Sequence, residues 1–365
     1  VTSDCQPWPR GGRLGVCRTC GCAQKVIDSV WQAEADSIYS AYAIYHQSNG
    51  VEQAVFEQSS GQVQARSVRL LERMSAQISF PAKGRLLDIG CGNGALLRAF
   101  SQLWPEWSLA GTELNDKYHL QVEAIDRVEA LFTCAPDQVP GDFDLITLVH
   151  VLEHILDPVA FLAQLASKIK ANGQLLIQVP DLLQNPYDLL IADHCTHFTE
   201  STLVWVIQRA GYDTVSVSAD WVPKELTTVV RLARSEAASN VSTSLSNSLA
   251  AVTRNLVWLE RVVDTARRGV QNGHFGLFGT SIAAAWLASE LSGTVKFFVD
   301  EDPNRVGKTY WGCPVYHPQD VPSGSHVFMV LLPGVAGDIL RRIARDGVTY
   351  YLPPALPQSV AGQTL

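Results

Sequence analysis

At 365 residues the chain is too long for one ordinary domain, and 47% apolar residues can fill two or three cores. Its formal charge of -8 argues against a nucleic-acid partner, which calls for a basic face. No apolar run reaches the roughly 18–20 residues that span a bilayer, so no membrane partner is expected.

The chain opens on Val1 without a methionine, which leaves room for a missing N-terminal piece, and no secretory leader is visible. Eight scattered cysteines fit a reducing, cytoplasmic setting better than a disulfide framework. The close cluster lies in residues 1–25. Cys17-Arg18-Thr19-Cys20-Gly21 is half of a zinc knuckle, two thiolates on a tight turn able to meet one tetrahedral ion. A closed site needs a second pair. Upstream stands Cys5, with Thr2 where its partner would be, so Cys22 or a residue beyond the chain has to complete the set. A degenerate or truncated knuckle is the plainer reading.

Residues 26–80 are expected to be helical. Tyr39, Tyr42, Tyr45 and His46 would share one helix face, either as an aromatic core stripe or as a lid turned to a polar substrate. Arg66 to Met74 continues as an amphipathic helix into the most informative stretch. There, Arg85 to Ile89 is a short apolar run ended by glycine, as in a strand covered on both faces. Gly90, Gly92 and Gly94 allow backbone conformations that a side chain forbids, and Ala95 to Phe100 resumes apolar residues at helical spacing. Strand, glycine turn and helix form the nucleotide-binding corner of a doubly wound sheet.

Trp107 to Glu113 reads as a second strand, ending in a carboxylate where this fold presents an acid to a ribose diol. Val128 to Cys134 and Phe143 to Val149 are the third and fourth strands. A helix from Pro158 to Ile169 and a strand from Gly173 to Pro180 follow. Gly90, Glu113, His150 and Asp181 then fall on one rim, outside the carboxyl ends of the strands. His150-Val151-Leu152-Glu153-His154 also matches the HxxEH pattern of zinc peptidases. That motif needs both histidines on one helix, and the β-like run before His150 argues against it.

Asp193-His194-Cys195-Thr196-His197-Phe198-Thr199 precedes a helix from Ser201 to Ala210, capped by Thr199 or Glu200. A histidine beside a carboxylate suits a general base, because its pKa lies near neutrality. Alternatively, Asp193 caps and His197 is packed. Residues 235–250 are serine-rich and read as a linker into a helix over 248–268. A second βαβ-like unit follows: a strand from His274 to Phe278, the turn Gly279-Thr280-Ser281, a helix from Ile282 to Leu291, Val295 to Val299 ending at Asp300, and Val327 to Leu332. Its glycine pattern is too incomplete to establish NAD binding, which leaves a structural or substrate-holding role.

The Leu86–Gly94 corner, Glu113 and the run Val151-Leu152-Glu153-His154-Ile155-Leu156-Asp157-Pro158 together resemble class I S-adenosylmethionine-dependent methyltransferases (EC 2.1.1). The resemblance implies that the methionine part of the cofactor lies on the glycine loop and that the acid after the second strand binds its ribose. The cofactor set it implies is Asp88, Gly90, Cys91, Gly92, Glu113, Leu114 and His150, with Asp137 near the adenine.

The cysteine knuckle, the tyrosine-rich helix, the core, the histidine loop and a second Rossmann-like domain are together similar to sugar C-methyltransferases that act on nucleotide-linked keto sugars. That family carries a Glu-His pair and a tyrosine where this chain has Asp193, His194 and His197, a departure that bears on both the methylated atom and the sugar. The expected fold is α/β: a doubly wound Rossmann-like core over 76–234, an N-terminal knuckle and helical lid over 1–75, a linker and helix over 235–268, and a second Rossmann-like domain over 269–365. His194 supported by Asp193 is the expected base, with His150 and His197 lining the acceptor pocket and Tyr42 and Tyr45 closing it. The expected cofactors are S-adenosylmethionine and, through Cys5, Cys17, Cys20 and Cys22, zinc. The expected partner is a small acceptor such as a nucleotide-sugar. O-methylation of a non-sugar metabolite and a non-catalytic binding protein are the alternatives.

Overall fold

The computed structural model describes residues 1–9, 11–44, 48, 50–52, 54–56, 63–234, 245–270 and 273–357. Strands β1 (Leu14–Val16) and β2 (Ala23–Lys25) pair antiparallel around the turn that carries Cys17, Cys20 and Cys22. Helix α1 (Ser29–Ala41) starts where the Asp28 carboxylate accepts the Trp31 N–H at 2.9 Å. The helix expected across 26–80 is interrupted. After α1 come the paired strands β3 (Ala54–Phe56) and β4 (Val63–Ala65), and only then α2 (Arg66–Gln77). Two causes are visible. The Ala43 N–H donates to Asp4 Oδ2 at 3.1 Å and so leaves the helical ladder, and Gly50, at φ +82°, takes the chain out of helical space.

The central sheet comprises β5 (Arg85–Ile89), β6 (Ser108–Thr112), β7 (Val128–Phe132), β8 (Phe143–Val149) and β9 (Ile169–Pro180), all parallel to their neighbours. Helices α3 (Ala95–Leu103), α4 (His119–Glu123) and α5 (Pro158–Leu165) lie between them in the chain. Next come β10 (Thr196–His197), α6 (Glu200–Arg209), β11 (Tyr212–Ser218) and β12 (Glu225–Leu232). The strand order is β11-β12-β9-β8-β5-β6-β7, with β12 antiparallel to β9. Strand order reverses at β5, which lies between β6 and β8. The crevice at the carboxyl ends of these strands is where doubly wound folds bind ligands.

Alternate residues feed the cores on the two faces: Leu87 and Ile89 pack with Ile146 and Leu148, while Leu86 packs with Leu97, Phe100 and Leu109. Sequence reading passed over β11 and β12; in β11, the edge strand, Asp213, Thr214 and Ser216 dilute the apolar signal. The short strand β10 joins the N-terminal hairpin, with Thr196 opposite Gln24 and His197 opposite Ala23. That pairing ties the histidine loop to residues more than 150 positions earlier.

The linker expected over 235–250 falls outside the described residues for 235–244; from Leu245 the chain is helical as α7 (Leu245–Val270). The C-terminal sheet has β13 (Phe275–Phe278) paired in parallel with both β14 (Phe297–Val299) and β17 (Ser325–Met329). Its remaining strands are β15 (Thr309–Tyr310), β16 (Cys313–Tyr316) and β18 (Val348–Tyr351), with α8 (Ile282–Glu290) and α9 (Pro333–Ile343) as its helices. At the end of β14 the Asp300 carboxylate is already taken, accepting from Thr280 Oγ1 at 2.6 Å and pairing with Arg305 at 3.4 Å.

In β13, a Cβ on Gly276 would sit 2.3–2.5 Å from the Phe297 ring. Gly276→Val is therefore expected to destabilise the C-terminal unit by about 1–3 kcal/mol through overpacking, read as a lower urea midpoint at unchanged slope. Among the described residues, no helix is long and apolar enough to cross a membrane.

Candidate active site

The chain leaves β5 through Gly90, Gly92 and Gly94, at φ +67°, +56° and +81°. A Cβ at Gly90 would stand 2.6 Å from Val151 Cγ2, and one at Gly92 2.7 Å from Ile44 Cδ1. Left-handed backbone and crowding both require glycine here. Asp88, near the end of β5, is buried and accepts a hydrogen bond from Thr147 Oγ1 at 2.7 Å. Burial pushes its carboxyl up to about 7, against the pull of that hydrogen bond.

Glu113, at the tip of β6, folds back on the glycine turn: Gly92 N–H donates to Oε1 at 2.5 Å and Leu114 N–H to Oε2 at 3.1 Å. Burial raises the Glu113 carboxyl, and the two N–H donors oppose that rise. Cys91 is buried, and its N–H donates to Thr112 O at 3.1 Å, fixing the turn to β6. The Leu114 side chain stands exposed beside this corner. Asp137 is exposed on the 3-10 turn Pro136–Gln138 after β7.

The segment after α1 crosses the corner. Ile44 abuts Gly92, Asn93 Nδ2 donates to Gly50 O at 2.6 Å, and Lys117 Nζ donates to Tyr42 O at 2.7 Å. The expected helical face of tyrosines does not form. Helix α1 ends at Ala41, and Tyr42, at φ -56° and ψ 133°, already has extended-type backbone. Tyr45 and His46 lie outside the described residues. Tyr39 turns inward, and its Oη is 3.1 Å from His154 Nδ1.

A second group of side chains stands at the tip of β8. Because β8 pairs with β5, with Leu148 opposite Ile89, His150 and Val151 lie beside Gly90. His150 has φ +57°, a conformation unusual for a non-glycine residue. Its N–H donates to Gln178 O at 2.9 Å, and its Nδ1 is 2.9 Å from Glu153 Oε1. Its Nε2 faces Arg66 and lies 3.5 Å from Glu225 Oε2. Burial, with the Arg66 charge, pushes the imidazole down to about 3. Arg66 in turn pairs with Glu225 Oε1 at 2.7 Å. Leu152–His154 form a 3-10 turn, so the HxxEH residues do not share a helix face.

Behind His150 the network continues inward. Glu153 is fully buried, and its Oε2 has no hydrogen-bond partner. His154 packs edge-on to His194, ring centroids 4.6 Å apart at 86°. One atom from each of Glu153, His154 and His194 lies within 4.8 Å of the others, and the same holds for Asp188, His194 and His197. Asp188 Oδ1 is 2.6 Å from His194 Nδ1, and Oδ2 is 2.5 Å from His197 Nδ1. Burial alone would raise the Asp188 carboxyl, but the two imidazoles hold it far below its ordinary range. Burial also acts to lower His194, yet Asp188 overrides it and lifts the ring to about 9. For His197 burial prevails and the pKa is lowered.

The carboxylate on His194 is therefore Asp188, not the adjacent Asp193. Asp193 accepts from Ser3 N–H at 2.9 Å and Ser3 Oγ at 2.5 Å, and lies 3.5 Å from His154 Nδ1. Sequence reading missed Asp188, Glu225 and Arg66. A signal for Asp188 was available, since an acid inside the apolar run Pro186-Tyr187-Asp188-Leu189-Leu190 needs a buried partner.

The four cysteines part company. Cys17, Cys20 and Cys22 share the β1–β2 turn, where Cys22 and Cys17 hold the Cys20 thiol down at about 5. Cys5 packs instead with the C-terminal core, and its carbonyl accepts from Tyr310 Oη at 3.3 Å. A closed four-thiolate site from these residues is not formed.

Residues 60–217 match the model of a family described as a methyltransferase domain. The ubiquinone biosynthesis O-methyltransferase of Xanthomonas campestris pv. campestris (strain B100) is 31% identical over 114 residues, 29% of this chain and 47% of that protein. The mitochondrial enzyme of the same description from Schizosaccharomyces pombe is 30% identical over 121 residues, 30% of this chain and 43% of its own. The chain thus spans about half the length of the curated relatives it matches. Among solved structures, an S-adenosylmethionine-dependent methyltransferase from Clostridium acetobutylicum ATCC 824 aligns with 56% of this chain and 98% of its own, at TM-score 0.39 and 12% identity. The mitomycin 7-O-methyltransferase MmcR aligns with 46% of this chain and 54% of its own, at TM-score 0.40 and 20% identity. Residues 60–217 thus carry a methyltransferase domain.

Proposed function

Taking that domain as the premise, we propose that the protein transfers a methyl group to an oxygen of a small hydroxylated acceptor, with His194 as the base. Bound S-adenosylmethionine would supply an electrophilic methyl group on a sulfonium. Asp88, Gly90, Gly92 and Glu113 would hold it, with Cys91, Leu114 and His150 beside them and Asp137 farther along the rim. The crowding that forbids a Cβ at Gly92 and the Glu113 carboxylate closing on the same turn support this fit. The observation that carries the reading is the meeting of two half-sites at neighbouring strand tips. Glu113 and the glycine turn lie at β6 and β5, and the His150–Glu153 pair lies at β8.

The base has to be neutral to take a proton. Asp188 holds His194 protonated up to about 9, so kcat/KM should climb with pH toward that value rather than level off at the ordinary histidine range near 6.5. His150, pushed down to about 3, is neutral throughout and would give no such limb. The pH profile therefore separates the two histidines.

The test is methyl-labelled S-adenosylmethionine with two acceptor sets, catechol-type phenols and nucleotide-linked keto sugars. Label on a phenolic oxygen is the expected result. A carbon of a keto sugar is the second reading, supported by the cysteine turn and the C-terminal sheet, which lie outside the matched residues 60–217. No heat on titrating S-adenosylhomocysteine would instead point to a non-catalytic protein. No step passes through zinc. Cys5→Ser is expected to leave the zinc content of the purified chain unchanged, by elemental analysis, because Cys5 packs apart from the thiol turn.

A further inference from the structure

Asp188 belongs to neither half-site, yet it is the residue on which the histidine loop converges. It lies on the short turn Pro186–Leu190, between β9 and β10, and is 1% exposed. Each of its oxygens meets one imidazole Nδ1, at 2.6 and 2.5 Å. A carboxylate accepts and does not donate, so both rings must present Nδ1–H to it. That fixes each ring's plane and, when the ring is neutral, leaves Nε2 as the acceptor. His197 Nε2 is buried without a hydrogen-bond partner. The His194 ring is held between Asp188 and the edge of His154.

The residues that flank Asp188 are held from outside the methyltransferase sheet. Its neighbour Tyr187 is buried against Trp258 of α7 and Trp286 of α8, at centroid distances of 5.4 and 6.2 Å. Its other neighbour, Leu189, accepts a hydrogen bond from the buried Lys25 Nζ at 3.0 Å through its carbonyl. The turn is therefore braced on one side by the C-terminal unit and on the other by β2.

Resting on the methyl-transfer reading above, we infer that Asp188 is a positioning residue: it sets the tautomer and orientation of His194 and His197, and the C-terminal unit sets Asp188 through Tyr187. This gives the second Rossmann-like domain a task in the reaction that requires no ligand of its own. Asp188 never touches the acceptor. It acts through His194, much as the third member of a catalytic triad acts through its histidine. The charged groups that face His194 are Asp188, Glu153 and Asp193, together with His154 and His197, and Lys25 lies behind Asp188. Of these, Asp188 makes the direct hydrogen bond to Nδ1.

The first test needs no acceptor. Imidazole NMR on the full chain should show two slowly exchanging, downfield Nδ1 protons, assigned to His194 and His197 by their loss in His194→Gln and His197→Gln. Both should disappear in Asp188→Asn, with S-adenosylhomocysteine affinity unchanged. Tyr187→Leu, which removes the stack but not the carboxylate, should broaden both. Persistence of both signals in Asp188→Asn would overturn the positioning role, and unaltered signals in Tyr187→Leu would overturn the part given to the C-terminal unit.

The second test is kinetic. With a phenol or keto sugar that the wild type methylates, Asp188→Asn should lower the high-pH plateau of kcat, where His194 is neutral in both proteins, at least tenfold at unchanged acceptor KM. The rising limb should move from about 9 down toward the ordinary value near 6.5, and Asp188→Glu should restore part of both. A limb that stays in place would overturn the proposal. Should Asp188→Asn fail to fold, the wild-type spectrum still decides, because absence of the two downfield protons refutes the pairing. Failure of the methyl-transfer reading would look different: no label transfer and no S-adenosylhomocysteine binding by the wild type, with the imidazole signals intact.

Discussion

Replacing His194 with glutamine should cut methyl transfer by about 100- to 10,000-fold, the usual span for loss of a general base, while S-adenosylhomocysteine binds as before. The separation of the two effects follows from placement. The groups expected to hold the cofactor sit at the tips of β5 and β6, and Glu113 reaches the glycine turn without any histidine between them. His194 lies on the loop before β10, joined to Asp188 at 2.6 Å and packed on His154 at 4.6 Å. Glutamine keeps a polar side chain of similar reach, so the Asp188 carboxylate can still find a donor and the loop keeps its shape. What is lost is a ring nitrogen that can take up the acceptor's proton, which an amide cannot do. Steady-state turnover on the methylated acceptor, with calorimetry on the product cofactor, checks both halves. Turnover within threefold of wild type would remove His194 from the chemistry and leave His150, at the tip of β8 beside Gly90, as the next candidate.

The two half-sites were unequally legible. The glycine corner is a local object: strand, turn and helix are contiguous over 85–103, and each residue type there answers to a backbone requirement within a few positions. The strands over Arg85–Ile89 and Phe143–Val149 could be read to the residue, because parallel strands buried on both faces are near-continuous apolar runs. The histidine network is the opposite case. Asp188 lies six positions before His194 along the chain, yet a turn and the pairing of β10 with β2 place it on the ring. Ser3, on the Asp193 carboxylate, is 190 residues away from it in sequence. Adjacency made Asp193 the natural partner for His194, but the fold used adjacency for neither bond. The tyrosine stripe failed for a related reason. Helical spacing assumes that the helix continues, and a single tertiary hydrogen bond, Ala43 N–H to Asp4, helps end it at the residue that mattered.

Truncating Glu113 to alanine should weaken S-adenosylhomocysteine binding by about 10- to 100-fold, because a charge-assisted hydrogen bond contributes about 1.5–3 kcal/mol. The carboxylate lies at the tip of β6, where the doubly wound fold turns an acid toward a ribose. At present it is satisfied by the N–H groups of Gly92 and Leu114, at 2.5 and 3.1 Å. Those same contacts predict the shape of the mutant series. Alanine removes both the ribose acceptor and the brace on the glycine turn. Glutamine keeps an acceptor for Gly92 N–H but gives up the negative charge. If charge on the ribose matters most, Glu113→Gln should fall close to Glu113→Ala; if the brace matters most, glutamine should sit near wild type. The ribose role predicts the first order, with a drop in affinity at little change in Tm, since Glu113 is only half-buried. Calorimetry on both variants, beside thermal unfolding without ligand, reads the two quantities separately. Wild-type affinity in Glu113→Ala would take the acid out of the cofactor site and leave the glycine turn and Asp88 to hold it.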